Sequence, residues 1–99
     1  FSKQDREEHN LRVAHLAVVL SKKNIVIVSV IAPFEETRKK IDEIAKPIWV
    51  HVERNVKITK EKPYEIPQKY HIKVNSNRLT LEKQADIILQ YLKKQQIIN

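Results

Sequence analysis

Ile25–Ile31 is apolar or β-branched at every position except Ser29. A strand wet on one face alternates. An unbroken run fits a strand covered on both faces, as in a parallel sheet. The run stops at Ala32-Pro33-Phe34, and Glu35-Glu36 open the next helical pattern. Open α/β sheets bind ligands at the carboxyl ends of their strands, so Ile31–Phe34 is where chemistry or binding is expected. An ordinary loop after a buried strand is the plain alternative.

The remaining pattern alternates helix and strand. Asp5–Leu20 predicts a helix with acids in its first turn, which complements the macrodipole. Val13, Leu16, Ala17 and Leu20 form its inward stripe, widened by Ala14 and Val18. Glu35–Ala45 predicts a second helix with Ile41, Ile44 and Ala45 inward. Lys46-Pro47 ends it, because proline disfavours helix in the residue before it. Ile48–Val52 reads as a short strand, and residues 53–67 are polar without a period. Tyr70–Asn75 reads as a strand with Ile72 and Val74 on one face. Thr80 caps a last helix, Leu81–Lys94, whose stripe is Leu81, Ala85, Ile88 and Leu92. This order predicts an α/β fold with a parallel sheet and helices on both faces.

Composition adds one puzzle. The chain has 99 residues, 41% of them hydrophobic, and no cysteine, so it forms neither a disulfide framework nor a thiolate zinc site. No apolar run nears the ~20 residues of a membrane span, and the cytoplasm is the default compartment. Average usage would put about seven glycines here; there are none. The absence points to missing loops.

The net charge of +7 favours anionic partners. The lysines are scattered and aromatic residues are few, which argues against nucleic acid. A phosphorylated small molecule uses such charge more locally. His9, His15, His51 and His71 lack metal-ligand spacing, so no metal site is expected. Ser29 lies inside the apolar run and not on a nucleophile elbow.

Five segments together resemble the adenylylsulfate kinase family. They are Phe1-Ser2-x-x-Asp5-Arg6-Glu7-Glu8 with Arg12-Val13-Ala14, then Ile25–Arg38, Ile48–Glu53, Pro63-Tyr64-Glu65-x-Pro67, and Asn75-Ser76-Asn77 with Leu79-Thr80. The resemblance runs from Phe1 to about Ile97. It implies the three-layer, doubly wound parallel sheet of the P-loop kinases, incomplete here, with residues 1–99 as the C-terminal part of one such domain. The family's Gly-rich phosphate loop would lie upstream of Phe1. Its lid would fall between Arg54 and Pro63, where the spacing is short by roughly twenty residues of the kind active-site lids contain.

The resemblance also implies roles. Arg6 and Arg12 match family arginines that hold the acceptor nucleotide, work suited to a planar fork that meets phosphate or sulfate oxygens in pairs. A surface ion pair with Glu7 or Glu8 is the alternative for Arg6. Phe1 matches a phenylalanine that stacks on the acceptor base. Ile31, Ala32 and Pro33 match the turn that lines the acceptor pocket through its backbone. Arg38 matches an arginine of the following helix, where a solvated arginine is the alternative. ATP and Mg²⁺ are the implied cofactors, the metal held mainly by the phosphate-loop hydroxyl, and a homodimer is the implied assembly.

The departures fall on the acceptor side. His9 stands where the family has asparagine, with Asn10 one residue later. Leu11 replaces a common arginine. Ala32 replaces a serine that some members phosphorylate. Three functions are therefore carried: an adenylylsulfate kinase, a kinase of the same fold for another nucleotide such as cytidine diphosphoramidate, and a non-catalytic basic binding module.

Overall fold

The computed structural model describes residues 2–54 and 64–98. The elements are α1 (Lys3–Leu20), α2 (Glu35–Ala45), β1 (Val50–Glu53), β2 (Ile72–Asn75) and α3 (Leu81–Lys94). They fall into two compact units. One holds α1, α2 and the 64–66 segment; the other holds both strands and α3.

In the first unit, α1 begins two residues earlier than the pattern predicts, because of a reciprocal cap. The Asp5 N–H donates to Ser2 Oγ at 3.1 Å, and the Ser2 N–H donates to Asp5 Oδ2 at 3.3 Å. Each bond satisfies a backbone donor that the first turn leaves without a partner. Helix α2 spans the expected residues. Its buried face is Thr37, Arg38 and Ile41, with Ile44 and Ala45 half-buried. The two helices pack together, and α1 buries Asn10 and Ala14.

Two expectations about this unit are corrected. Residues 25–34 form no strand. Ile27 is 91% exposed, and Ile25 and Ile31 are exposed as well. An apolar run specifies burial, but strand state belongs to a pair, and no neighbouring strand bonds to this run among the described residues. The stripe of α1 is likewise open, with Leu16, Val18 and Leu20 exposed. Val13, Leu16, Ala17 and Leu20 line an open groove of about 330 Å³ whose other wall is residues 26–30. The groove separates the two apolar surfaces that the pattern predicts to be buried.

In the second unit, β1 and β2 pair in parallel, with Val50 opposite Ile72 and Val52 opposite Val74. Ile72 and Val74 point into the core, at 6% and 2% exposure. Helix α3 packs on β2 and is capped as expected, the Thr80 hydroxyl accepting from the Lys83 N–H at 3.2 Å. Its inward face is corrected. Leu81 and Ala85 are exposed, and Gln84 is the buried residue, with Ile88, Tyr91 and Leu92 half-buried. The helical period is right, but the face is rotated. Tyr91 is drawn in by an edge contact with the His71 ring at 6.5 Å. The α/β class and the parallel pairing that the pattern predicts are thus present. No helix among the described residues is long and apolar enough to cross a membrane.

Two helix ends take the left-handed conformation without glycine. Lys46, after α2, has φ 44°, and Gln96, after α3, has φ 61°. At the second end the Gln96 N–H bonds the Lys93 carbonyl and the Ile97 N–H bonds the Leu92 carbonyl, the paired pattern of a Schellman stop. A side chain in this region costs about 1–2 kcal/mol. Lys46→Gly should therefore stabilise the protein by about 0.5–1 kcal/mol, after the added freedom of the unfolded chain is discounted. Lys39→Gly, inside α2, should destabilise it by about 1 kcal/mol. Thermal unfolding of both variants checks the opposite signs.

Candidate functional site

The turn Ile31–Phe34 is held by α1, by the helix α2 that follows it, and by the 64–66 segment. The Asn10 side chain, from α1, donates from Nδ2 to the Ile31 carbonyl at 3.0 Å. Arg38 Nη1, from α2, donates to the Ala32 carbonyl at 2.6 Å. The Glu65 backbone N–H donates to the Pro33 carbonyl at 2.7 Å. Three consecutive carbonyls are thus fixed from three directions. Pinning successive peptide planes sets the dihedrals of Ala32 and Pro33 between them.

Glu65 and Arg38 also bind one another's surroundings. The Glu65 carboxylate accepts from the Glu35 N–H at 2.9 Å, closing the N-terminus of α2, where Phe34 supplies no side-chain cap. Arg38 Nη2 donates to the Glu65 carbonyl at 2.6 Å and to Glu35 Oε2 at 3.1 Å. The guanidinium lies 5.8 Å from the Tyr64 ring centroid. Arg38 is 8% exposed, so a buried charge meets carbonyl, carboxylate and ring partners together.

The face of α1 toward α2 carries a charged link. Lys40 Nζ donates to Glu7 Oε1, and Thr37 Oγ1 donates to Glu7 Oε2 at 3.1 Å. The Lys40 bond is the largest cause holding the Glu7 carboxyl below its ordinary range, partial burial opposing it. The same bond raises the Lys40 ammonium.

Of the residues expected to meet substrate, Ala32 and Pro33 are buried in the turn and Ile31 is 80% exposed. Arg6 is half-buried in the first turns of α1 and joins no ion pair among the described residues, Glu7 being engaged by Lys40. His9 is exposed and lines the mouth of the apolar groove. Arg12 is exposed and joins no ion pair among the described residues. Arg38 is buried rather than solvated, and its Nη donors hold the turn, Glu35 and the Glu65 carbonyl. Phe1 lies outside the described residues.

Sequence reasoning missed Asn10, Glu65 and the Glu7–Thr37–Lys40 link. The signal for Asn10 is a polar residue on the packed side of an amphipathic helix. For Glu65 it is an acid between two prolines. The second unit has its own cleft, about 570 Å³, at the carboxyl ends of β1 and β2. Arg54, Ser76, Asn77 and Thr80 are among its lining residues. No cluster of three or more metal-ligating side chains occurs among the described residues.

A parallel strand pair with a helix on it in one unit, and two packed helices in the other, make this an α/β protein. The family is narrower. The adenylylsulphate kinase profile matches residues 1–66, and the chain belongs to that family of phosphotransferase enzymes. A probable adenylyl-sulfate kinase of Pyrococcus abyssi is 29% identical over 118 residues, covering 95% of this chain and 68% of that protein. An adenylyl-sulfate kinase of Halothermothrix orenii is 27% identical over 123 residues, covering 100% of this chain and 66% of that protein. The chain thus spans about two thirds of the length of these relatives.

The charged link predicts a pH dependence. A depressed carboxyl stabilises the fold fully above its ordinary value of 4.5, and that stability is lost as pH falls through the folded value. The raised Lys40 stabilises below its ordinary 10.5 and loses its effect as pH rises through the folded value. Glu7→Gln should therefore lower the melting temperature near neutrality, and the gap to wild type should close on acidification below pH 4.5. Melting curves of both proteins across pH 3–7 check the sign.

Proposed function

We propose that the protein is an ATP-dependent small-nucleotide kinase that passes the γ-phosphoryl group of ATP to the ribose 3′-hydroxyl of adenylylsulfate. Residues 1–99 carry the acceptor side. The observation that carries this reading is that the family match, residues 1–66, takes in the whole unit built around the turn. Both similar proteins are named for the same activity.

In this reading the chain aligns the acceptor and neutralises it. Arg6, with no ion pair among the described residues, meets phosphate or sulfate oxygens, and Arg12 extends the basic side of α1. Ile31, Ala32 and Pro33 line the acceptor pocket. Phe1 stacks on the acceptor base. Catalysis then comes from position and electrostatics and not from a covalent group of this chain. A homodimer in the cytoplasm is part of the same proposal, resting on family resemblance.

The ATP side is assigned to residues outside 1–99. A phosphate loop aims backbone N–H groups at phosphate oxygens and needs glycine to do so; this chain has none. The described residues do not fit a magnesium site either, so no step is assigned to the metal here.

A lid-length segment missing between Arg54 and Pro63 belongs to the proposal as well. The P. abyssi alignment runs over 118 positions but takes in 95% of this 99-residue chain, about 94 residues. The H. orenii alignment runs over 123 positions and takes in all 99. Each relative therefore has about 24 aligned positions without a counterpart here. Peptide mass mapping across residues 54–63 reads the segment directly; a peptide whose mass equals that of residues 54–63 alone shows that nothing is missing there.

A second acceptor, of the cytidine diphosphoramidate kind, is favoured by one specific observation. His9, Leu11 and Ala32 all depart from the family, and His9 lies exposed beside Asn10, whose side chain holds the turn. A site built on particular hydrogen bonds rejects a mismatched ligand strongly.

Steady-state assays of the intact protein with both acceptors test the reading. Adenylylsulfate should give the higher kcat/KM; comparable values for the two would defeat the specificity. Arg6→Ala should raise the acceptor KM about ten- to hundred-fold, the loss expected for a charge-assisted hydrogen bond, and leave the ATP KM unchanged. Lys93→Ala, in α3, should change neither. Because Ala32 has no hydroxyl to phosphorylate, initial-rate plots should show a ternary complex; ping-pong patterns would overturn direct transfer.

A further inference from the structure

We propose that Asn10 is a positioning residue for the acceptor, acting through the carbonyl of Ile31. This rests on the reading that the 31–34 turn lines the acceptor pocket. Asn10 is 4% exposed, on the side of α1 that packs against α2. A buried amide there is justified only by its bonds, and the bond it makes spans 21 positions to an otherwise exposed residue. Ile31 has no strand neighbour among the described residues to fix its peptide plane. Its carbonyl is oriented by Asn10, as that of Ala32 is by Arg38 and that of Pro33 by Glu65.

Asn10 differs from the other two in what depends on it. Arg38 and Glu65 also hold each other and the start of α2, so their loss would disturb the helix. The Asn10 amide bonds to the first carbonyl of the turn. It is also next in sequence to His9 and one helical turn beyond Arg6, so the same helix that offers the charge also sets the turn. This bond ties α1, which carries Arg6 and His9, directly to the turn. A bond that orients without touching substrate should act on acceptor affinity and leave the ATP side alone.

The test uses Asn10→Asp, isosteric but unable to donate from the side chain, and Asn10→Leu, which keeps the volume and loses the bond. Both are made in the intact protein and assayed with adenylylsulfate and ATP. The acceptor KM should rise about tenfold in both, the loss of one net hydrogen bond, with the ATP KM within about twofold of wild type. An unchanged acceptor KM in a variant that melts cooperatively overturns the proposal. So does an equal rise in both KM values, which marks general loosening. Failure of the wild type itself to use or bind adenylylsulfate would sink the functional reading instead. The positioning claim is then decided by carbonyl ¹³C and amide ¹⁵N shifts of Ile31–Phe34. Shifts that move in the variants while those of Thr37–Ala45 stay in place support it, and shifts that stay fixed overturn it.

Discussion

The buried guanidinium of Arg38 is the constraint on which the α1–turn–α2 unit depends. It donates to the Ala32 and Glu65 carbonyls at 2.6 Å each and to the Glu35 carboxylate at 3.1 Å. A buried charge is costly unless paired, and a buried carbonyl without a donor is costly too. Each compensates the other here. Arginine alone among the cations has the planar fork to reach two carbonyls and a carboxylate from one group; a lysine ammonium is a point charge on a flexible stem. The segment 64–66 is thereby tied into a unit whose Arg38 lies 27 positions before Glu65. Without that tie the turn would be an extended loop between two helices.

Much of this is legible in local pattern. The limits of α2, the starting cap of α3 and the paired faces of Ile72 and Val74 follow from periodicity and capping chemistry. These are short-range properties, decided within a turn of helix or a strand's alternation. What fails is long-range. Ile25–Ile31 carries the composition of a central strand, but composition cannot supply the neighbour that makes a strand. The stripes of α1 and α3 have the right period but are only partly turned inward, Ala14 on α1 and Ile88 and Leu92 on α3, because the face is chosen by what lies opposite. On α1 a buried Asn10 and Ala14 against α2 displace larger apolar residues such as Leu16 and Leu20.

The candidate site shows the same division. The turn itself is legible as a proline-marked stop after an apolar run. Local pattern offers a solvated arginine at Arg38, and the side chain is buried instead. Of its partners, Glu35 and Ala32 lie three and six positions away, but Glu65 lies 27 positions away, a spacing no local motif encodes. By pattern Glu65 is one acid in a polar stretch. Its importance comes from a backbone donor to Pro33 in the turn, a backbone acceptor for Arg38, and a carboxylate at the N-terminus of α2. Backbone roles leave little trace in side-chain identity, and so the clamp is visible only in three dimensions.

The absence of glycine has a physical consequence at two helix ends. Lys46 and Gln96 stand in the left-handed region where a helix usually ends on glycine. At Gln96 the two reverse-turn bonds of the stop are both made, so the geometry is kept at the expense of strain. At Lys46 the following proline removes the helical alternative, and the left-handed residue turns the chain out of α2 without it. Strained ends of this kind persist where the elements they join are held by other contacts. In this chain those contacts are the Glu7–Lys40 link and the Arg38 clamp in one unit, and the parallel pairing of β1 with β2 in the other. At these two ends local backbone bonds and a proline do the work that glycine usually does, while the turn at 31–34 is held separately by the side chains of Asn10 and Arg38.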